Sequence, residues 1–160
     1  MVRAENIIIS PIRAVLNDLG DPMADFILCS SERDIRTDGM PNVLFLKFFD
    51  TEEENDPQRF RRSDAERIAA FLSRPDANGD LFVCCDSGRS RSAAVAAAVR
   101  LAAGEDDRTI WESTEYHPNV LVFRIMGEAL GLDLSDGEIR ARRERSDAAV
   151  REAIAGRRGT

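Results

Sequence analysis

Residues 81–99 read Leu-Phe-Val-Cys-Cys-Asp-Ser-Gly-Arg-Ser-Arg-Ser-Ala-Ala-Val-Ala-Ala-Ala-Val. An apolar run ends at Cys85; Arg91, Ser92 and an alanine-rich stretch follow. The pattern is that of a buried strand, a short loop and a helix. A helix N-terminus offers unpaired backbone N–H groups and the positive end of a dipole. Gly88 inside the loop allows further N–H groups to turn inward and form a concave anion cradle. Cys85, placed in that cradle, is favoured as a thiolate, because the anion gains hydrogen bonds and positive potential that the neutral thiol does not. A phosphate placed there can be gripped at two oxygens by the fork of Arg91. One pocket then holds both a nucleophile and an electrophilic phosphoryl group.

Working outward, short apolar segments at residues 7–9, 25–29, 43–48 and 81–85 read as strands. The last three are continuous rather than alternating, which suits buried strands of a parallel or mixed sheet. Ser63-Asp-Ala-Glu66 has the form of a capping box and opens a helix running to about Leu72. A second helix runs from Ser90 to Ala103 and stops at Gly104. Its middle, residues 93–99, has no polar face and should lie buried against the sheet. A short helix is expected near residues 109–113. Pro118-Asn119 opens a later helix, with Leu121, Phe123, Ile125, Met126 and Leu130 as its apolar stripe and Gly131 as its stop. Residues 135–155 are helical by propensity, rich in both charge signs and weakly amphipathic. Alternating strands and helices imply an α/β domain with a central, mostly parallel sheet of about four strands flanked by helices. Its catalytic loop should sit at the carboxyl end of a central strand.

The chain of 160 residues reads as a single domain, 1–160, ending in a charged helix over 132–160. A hydrophobic fraction of 43% and a charged fraction of 32% are those of a globular protein. A net charge of −7 argues against a nucleic-acid partner, since no basic excess exists to neutralise phosphates. No apolar run reaches the length of a membrane span, and the N-terminus has no apolar region of the kind that directs secretion. Three cysteines, two of them adjacent, do not form a disulfide framework and suit a reducing cytoplasm. They lack zinc-site spacing, and His117 is the only histidine, so no metal site is expected.

The stretch from Cys85 to Arg91, with five residues between them and Ser92 after, resembles the signature of the cysteine-based protein tyrosine phosphatase superfamily. The fuller pattern, Cys85-x-x-Gly88-x-Ser90-Arg91-Ser92-Ala93, is similar to the dual-specificity branch. The likeness extends over residues 25–131. It departs at Cys84, where the family carries a histidine that orders the loop and tunes the thiol. The resemblance implies a protein tyrosine phosphatase-like fold and a phosphate monoester hydrolase working through a cysteinyl-phosphate. It implies Cys85 as nucleophile. It also implies a phosphate site built from Asp86, Ser87, Gly88, Arg89, Ser90 and Arg91, chiefly through their backbone N–H groups and the Arg91 fork. Ser92 would bond the sulfur and ease its departure. Asn119 would hold the late helix near the site. No metal or organic cofactor is implied, and the partner would be a phosphorylated substrate, a protein above all.

A poor leaving group also needs a proton donor, which the family takes from an aspartate upstream. Asp50, at the end of an apolar run, is the favoured candidate and Asp56 its rival. Both belong to a run of five acids in seven residues, and such runs are ordinarily solvated loops. Cys84 and Cys29 read as core residues, Arg89 as a solvated loop side chain, and Trp111 and Tyr116 as packing. His117 reads as a structural residue beside a helix cap. Two other classes stay open: a module that binds phosphorylated ligands with little turnover, and a rhodanese-like sulfurtransferase, which also cradles a cysteine in an anion-binding loop.

Overall fold

The computed structural model describes residues 6–16, 24–32, 35, 37, 42–77 and 79–158. Four strands form one sheet: β1 (Asn6–Pro11), β2 (Asp25–Ser30), β3 (Val43–Lys47) and β4 (Asp80–Cys85), in the order β1-β4-β2-β3. Every pairing is parallel, so the fold is α/β with an all-parallel four-stranded sheet. Parallel strands need covered faces, and the side-chain alternation of β2 and β4 shows how both are covered. Ile27, Cys29, Leu81, Val83 and Cys85 face one cluster, together with α2 (Arg62–Leu72), α3 (Arg91–Ala102) and α5 (Val120–Ala129). Phe26, Leu28, Phe82 and Cys84 face the other, with Ile12 and Val15 of α1 (Ile12–Leu16).

The central strands match the expected segments closely. All six residues of β2 are buried, as the continuous apolar run requires. In β3 only Leu46 is buried, because β3 is an edge strand with one neighbour. Residues 91–99 of α3 are buried without exception, since this helix lies against the sheet on one side and α5 on the other. Gly104 ends α3 at φ +81° and Gly131 follows α5 at φ +75°, the left-handed conformation that stops a helix. Asn119 caps α5, its Oδ1 accepting the Val122 N–H at 3.0 Å.

Three local readings change. The helix expected from Ser63 starts at Arg62, and its first turn is capped by Asp64, whose Oδ2 accepts the Arg61 N–H at 2.9 Å. The expected turn of helix near 109–113 is α4 (Arg108–Trp111). The helix α1 after β1 had no periodic signal, being five residues long. The C-terminal helix α6 (Asp136–Arg158) opens with a complete capping box: Ser135 Oγ accepts the Glu138 N–H at 3.1 Å, and Glu138 Oε2 accepts the Ser135 N–H at 2.8 Å. No helix among the described residues is long and apolar enough to cross a membrane.

Candidate active site

The loop between β4 and α3 sits at the carboxyl ends of the strands, the place where parallel α/β sheets leave a crevice. Gly88 makes the loop fit. Its φ is +71°, and a Cβ there would lie 2.6 Å from the Pro11 nitrogen and 2.8 Å from the Ser10 carbonyl carbon, both backbone atoms of β1. Only glycine satisfies both the conformation and the contact. The loop is also strapped from outside: the His117 N–H donates to the Arg89 carbonyl at 2.9 Å, and the Asn119 N–H to the Ser90 carbonyl at 3.2 Å.

Cys85 lies at the floor of this loop, fully buried, with its Sγ 3.1 Å from Ser92 Oγ. Burial opposes its thiolate, but hydrogen bonds from the Ser92 hydroxyl and from the backbone N–H groups of Ser92, Ser90 and Gly88 outweigh that cost. The thiol therefore sits below the ordinary value of 9.0. The other two thiols behave oppositely. Burial, reinforced by the charge of Cys85, pushes Cys84 up to about 12, against a hydrogen bond with Ser10. Burial also pushes Cys29 well above its ordinary value. Cys84 points to the far face of the sheet, as strand alternation requires, whereas Cys29 is the cross-strand partner of Cys85 on the same face.

Arg91 begins α3 and is 5% exposed. Its Nη1 donates to Ser31 Oγ at 3.0 Å and to the Phe48 carbonyl at 2.9 Å. Its Nη2 donates to Asp86 Oδ2 at 2.9 Å. Its Nε is buried and has no hydrogen-bond partner among the described residues. Asp86 is held in turn by Ser30 Oγ, 2.7 Å from its Oδ1, and by the Ser31 N–H, 3.3 Å from its Oδ2. Burial works against this carboxylate, but the Ser30 hydroxyl, Arg91 and the Ser31 N–H keep it below the usual carboxylate range. The side chain of Asp86 thus anchors the guanidinium. No local motif in the sequence marks Ser30, Ser31 or the Phe48 carbonyl. The general signal was positional: all lie at or just past the carboxyl ends of β2 and β3.

The structure separates the two aspartates. Asp50 Oδ1 accepts from Ser90 Oγ at 2.8 Å and from Asn119 Nδ2 at 2.8 Å, which brings Asp50 against the loop. Asp56 spends its Oδ1 on the Gln58 N–H at 2.8 Å, inside its own turn. Of the remaining loop residues, Ser87 accepts the Arg89 N–H on its hydroxyl at 3.3 Å, so the Arg89 amide has a partner within the loop. The Arg89 side chain is exposed. Trp111 is buried in the core with its indole N–H on Asp107, and Tyr116 packs half-buried against the same core.

His117 holds more than a cap. Arg143 Nη1 lies 3.2 Å from its Nδ1 and 2.7 Å from its Nε2, and Nε2 lies 3.0 Å from Asp147 Oδ1. The Arg143 guanidinium and the Asp147 carboxylate thus converge on Nε2, whose donor or acceptor role is set by the ring tautomer. No protein-family model matches this chain, and neither a curated protein nor a solved structure matches it.

Proposed function

We propose that this chain is a phosphate monoester hydrolase of the protein tyrosine/dual-specificity phosphatase type, working through a cysteinyl-phosphate. The observation that carries the reading is selective activation of one thiol. Of three buried cysteines, Cys85 alone has its thiolate favoured, and it lies in the loop that ends in Arg91. The buried Nε of Arg91, without a partner among the described residues, is a second support, because a buried donor without an acceptor is costly and an oxyanion would relieve it.

In the proposed mechanism the Cys85 thiolate attacks phosphorus. An S–P bond forms while the P–O bond to the leaving group breaks, and Asp50 delivers its proton to the departing oxygen. Inward N–H groups of the loop and the Arg91 guanidinium stabilise the charge spread over the equatorial oxygens. Water then attacks the cysteinyl-phosphate, and Asp50 takes the proton back. The S–P bond breaks, inorganic phosphate departs, and the Ser92 hydroxyl, 3.1 Å from the sulfur, donates to the re-forming thiolate. No step calls on a metal or an organic cofactor. The substrate, following the same resemblance, is a phosphorylated protein, and the three unpaired thiols suit a cytoplasmic setting.

The test compares wild type with Cys85→Ser on p-nitrophenyl phosphate and, separately, on thiosulfate with cyanide. The wild type should release phosphate and form no thiocyanate. Cys85→Ser should lose turnover, because a serine hydroxyl is mostly neutral at pH 7, while still binding inorganic phosphate in calorimetry. Phosphate binding without wild-type turnover would favour a binding module instead. Thiocyanate formation would favour a sulfurtransferase, and full activity in Cys85→Ser would remove the mechanism.

A further inference from the structure

We infer that Arg143, on the C-terminal helix, is a positioning residue for the proton donor Asp50, an inference that rests on the phosphatase reading above. Two segments hold Asp50 in place. One is its own acidic loop. The other is the turn at 117–119, whose Asn119 Nδ2 donates to Asp50 Oδ1 at 2.8 Å and to the Thr51 carbonyl at 3.1 Å. A single guanidinium ties both segments together. Arg143 Nη2 donates to the carboxylate of Glu52, two residues beyond Asp50, and to the Pro118 carbonyl at 3.2 Å. Its Nη1 engages His117, whose backbone N–H straps the phosphate-binding loop at Arg89.

The side chain of Arg143 is only 19% exposed, and the helix that carries it is tied to the body of the protein by an ion pair. Arg142, its neighbour, places Nε 2.7 Å from Oδ2 of the buried Asp107, which also accepts the indole N–H of Trp111. Arg143 therefore projects from a point where α6 is anchored by its neighbour. The loop it grips is one that needs gripping. Five carboxylates between residues 50 and 56 repel one another and repel an incoming phosphate dianion. Arg143 neutralises one of them at Glu52, and Arg124 of α5 meets another at Glu54, 3.4 Å away. With Arg143 removed, Glu52 loses its counter-charge and the 117–119 turn loses its outer tie. Asp50 is then free to swing off Ser90. A displacement of about 1 Å in a catalytic group is enough to cost of order 10²-fold in rate.

The prediction is selective, because a proton donor matters only when the leaving group is poor. Phenyl phosphate needs the proton; difluoro-methylumbelliferyl phosphate does not. In the full-length protein, Arg143→Ala should lower kcat for phenyl phosphate by about tenfold to a hundredfold. Its kcat for the activated ester should stay within about twofold of wild type, since expulsion of that leaving group requires no donor. Arg143→Lys keeps the charge but cannot span Glu52, Pro118 and His117 together, so it should recover only part of the loss. In an Asp50→Asn background, Arg143→Ala should add no further leaving-group dependence. Equal losses on both esters, or no loss on phenyl phosphate, would overturn the inference. Hydrogen exchange supplies a readout independent of turnover: amides 50–54 should exchange faster in Arg143→Ala than in wild type. If the wild type hydrolyses neither ester, the phosphatase reading fails, and the exchange arm alone then decides whether Arg143 holds the acidic loop. Equal exchange in both proteins would show that it does not.

Discussion

Asp50 and Asp56 are six residues apart in one acidic loop and meet different surroundings. Asp56 turns inward on its own chain, whereas Asp50 reaches across to Ser90 and Asn119. Reach of this kind is what a proton donor requires, since geometry selects a general acid before its acidity does. Asp50→Asn should slow phenyl phosphate hydrolysis by about 10²–10⁴-fold, the usual contribution of a general acid. It should slow the difluoro-methylumbelliferyl ester far less, and Asp56→Asn should slow neither. The pH profile should follow the same logic. The Cys85 thiol is displaced downward from 9.0, so kcat/KM should climb with pH through a thiol ionisation on the acid side of that value. Asp50→Asn should leave that rising limb in place and lower its plateau. Leaving-group dependence in Asp56→Asn instead would move the acid deeper into the loop.

At the scale of elements, the register of the sheet decides which thiol can answer oxidation. Cys29 on β2 pairs directly with Cys85 on β4, and both face the helical layer. Adjacent strands lie about 4.8 Å apart, which is within the range of roughly 4.4–6.8 Å that a disulfide spans. Cys84 faces away and is excluded as a partner. Hydrogen peroxide should oxidise the Cys85 thiolate to a sulfenic acid, and condensation with the Cys29 thiol would then release water and form the disulfide. Peptide mapping without reductant should show a 29–85 link, and dithiothreitol should restore activity. Cys29→Ala should recover less, because its sulfenic acid can proceed to sulfinic acid. A link through Cys84, or none, would defeat the register argument.

The same elements show what a sequence can and cannot carry. β2, β4, α3 and α5 are legible because each is a continuous apolar run or stripe bounded by a cap or a glycine. The loop from Cys85 to Ser92 is legible because its residues are packed into eight consecutive positions. α1 is not, being too short for a period. The cap of α2 is displaced by two residues, from Ser63 to Arg61, because Ser63 and Glu66 mimic a capping box that Asp64 in fact supplies in part. Ser30 and Ser31 meet Asp86 across 55 residues or more, and Arg143 meets Glu52 across 91, so nothing local announces either contact. For the same reason the acidic run reads as a solvated loop although Asn119, Arg124 and Arg143 hold three of its acids at Asp50, Glu54 and Glu52.

For the whole molecule, the C-terminal helix joins stability to the site through two adjacent arginines with separate duties. Arg143 faces the acidic loop, whereas Arg142 anchors the helix to the body of the protein. Asp107 is 3% exposed, and Arg142 meets it with Nε at 2.7 Å and Nη2 at 3.3 Å. Trp111, fully buried and packed edge-on against Phe123 at 5.1 Å, donates to the same carboxylate. Removing the guanidinium strands a buried carboxylate with one neutral donor, the situation in which breaking an ion pair costs most. Arg142→Ala should therefore lower stability by about 3 kcal/mol, read as a lower urea midpoint with an unchanged slope. Arg62 supplies the contrast. It pairs with Glu66 one turn along α2, with side chains 57% and 63% exposed, where water and salt screen the attraction. Arg62→Ala should leave the urea midpoint nearly where it was. Were Arg142→Ala to shift the midpoint no further than Arg62→Ala, the anchoring of α6 would lie in its apolar contacts, Ile139 foremost, and not in the buried pair.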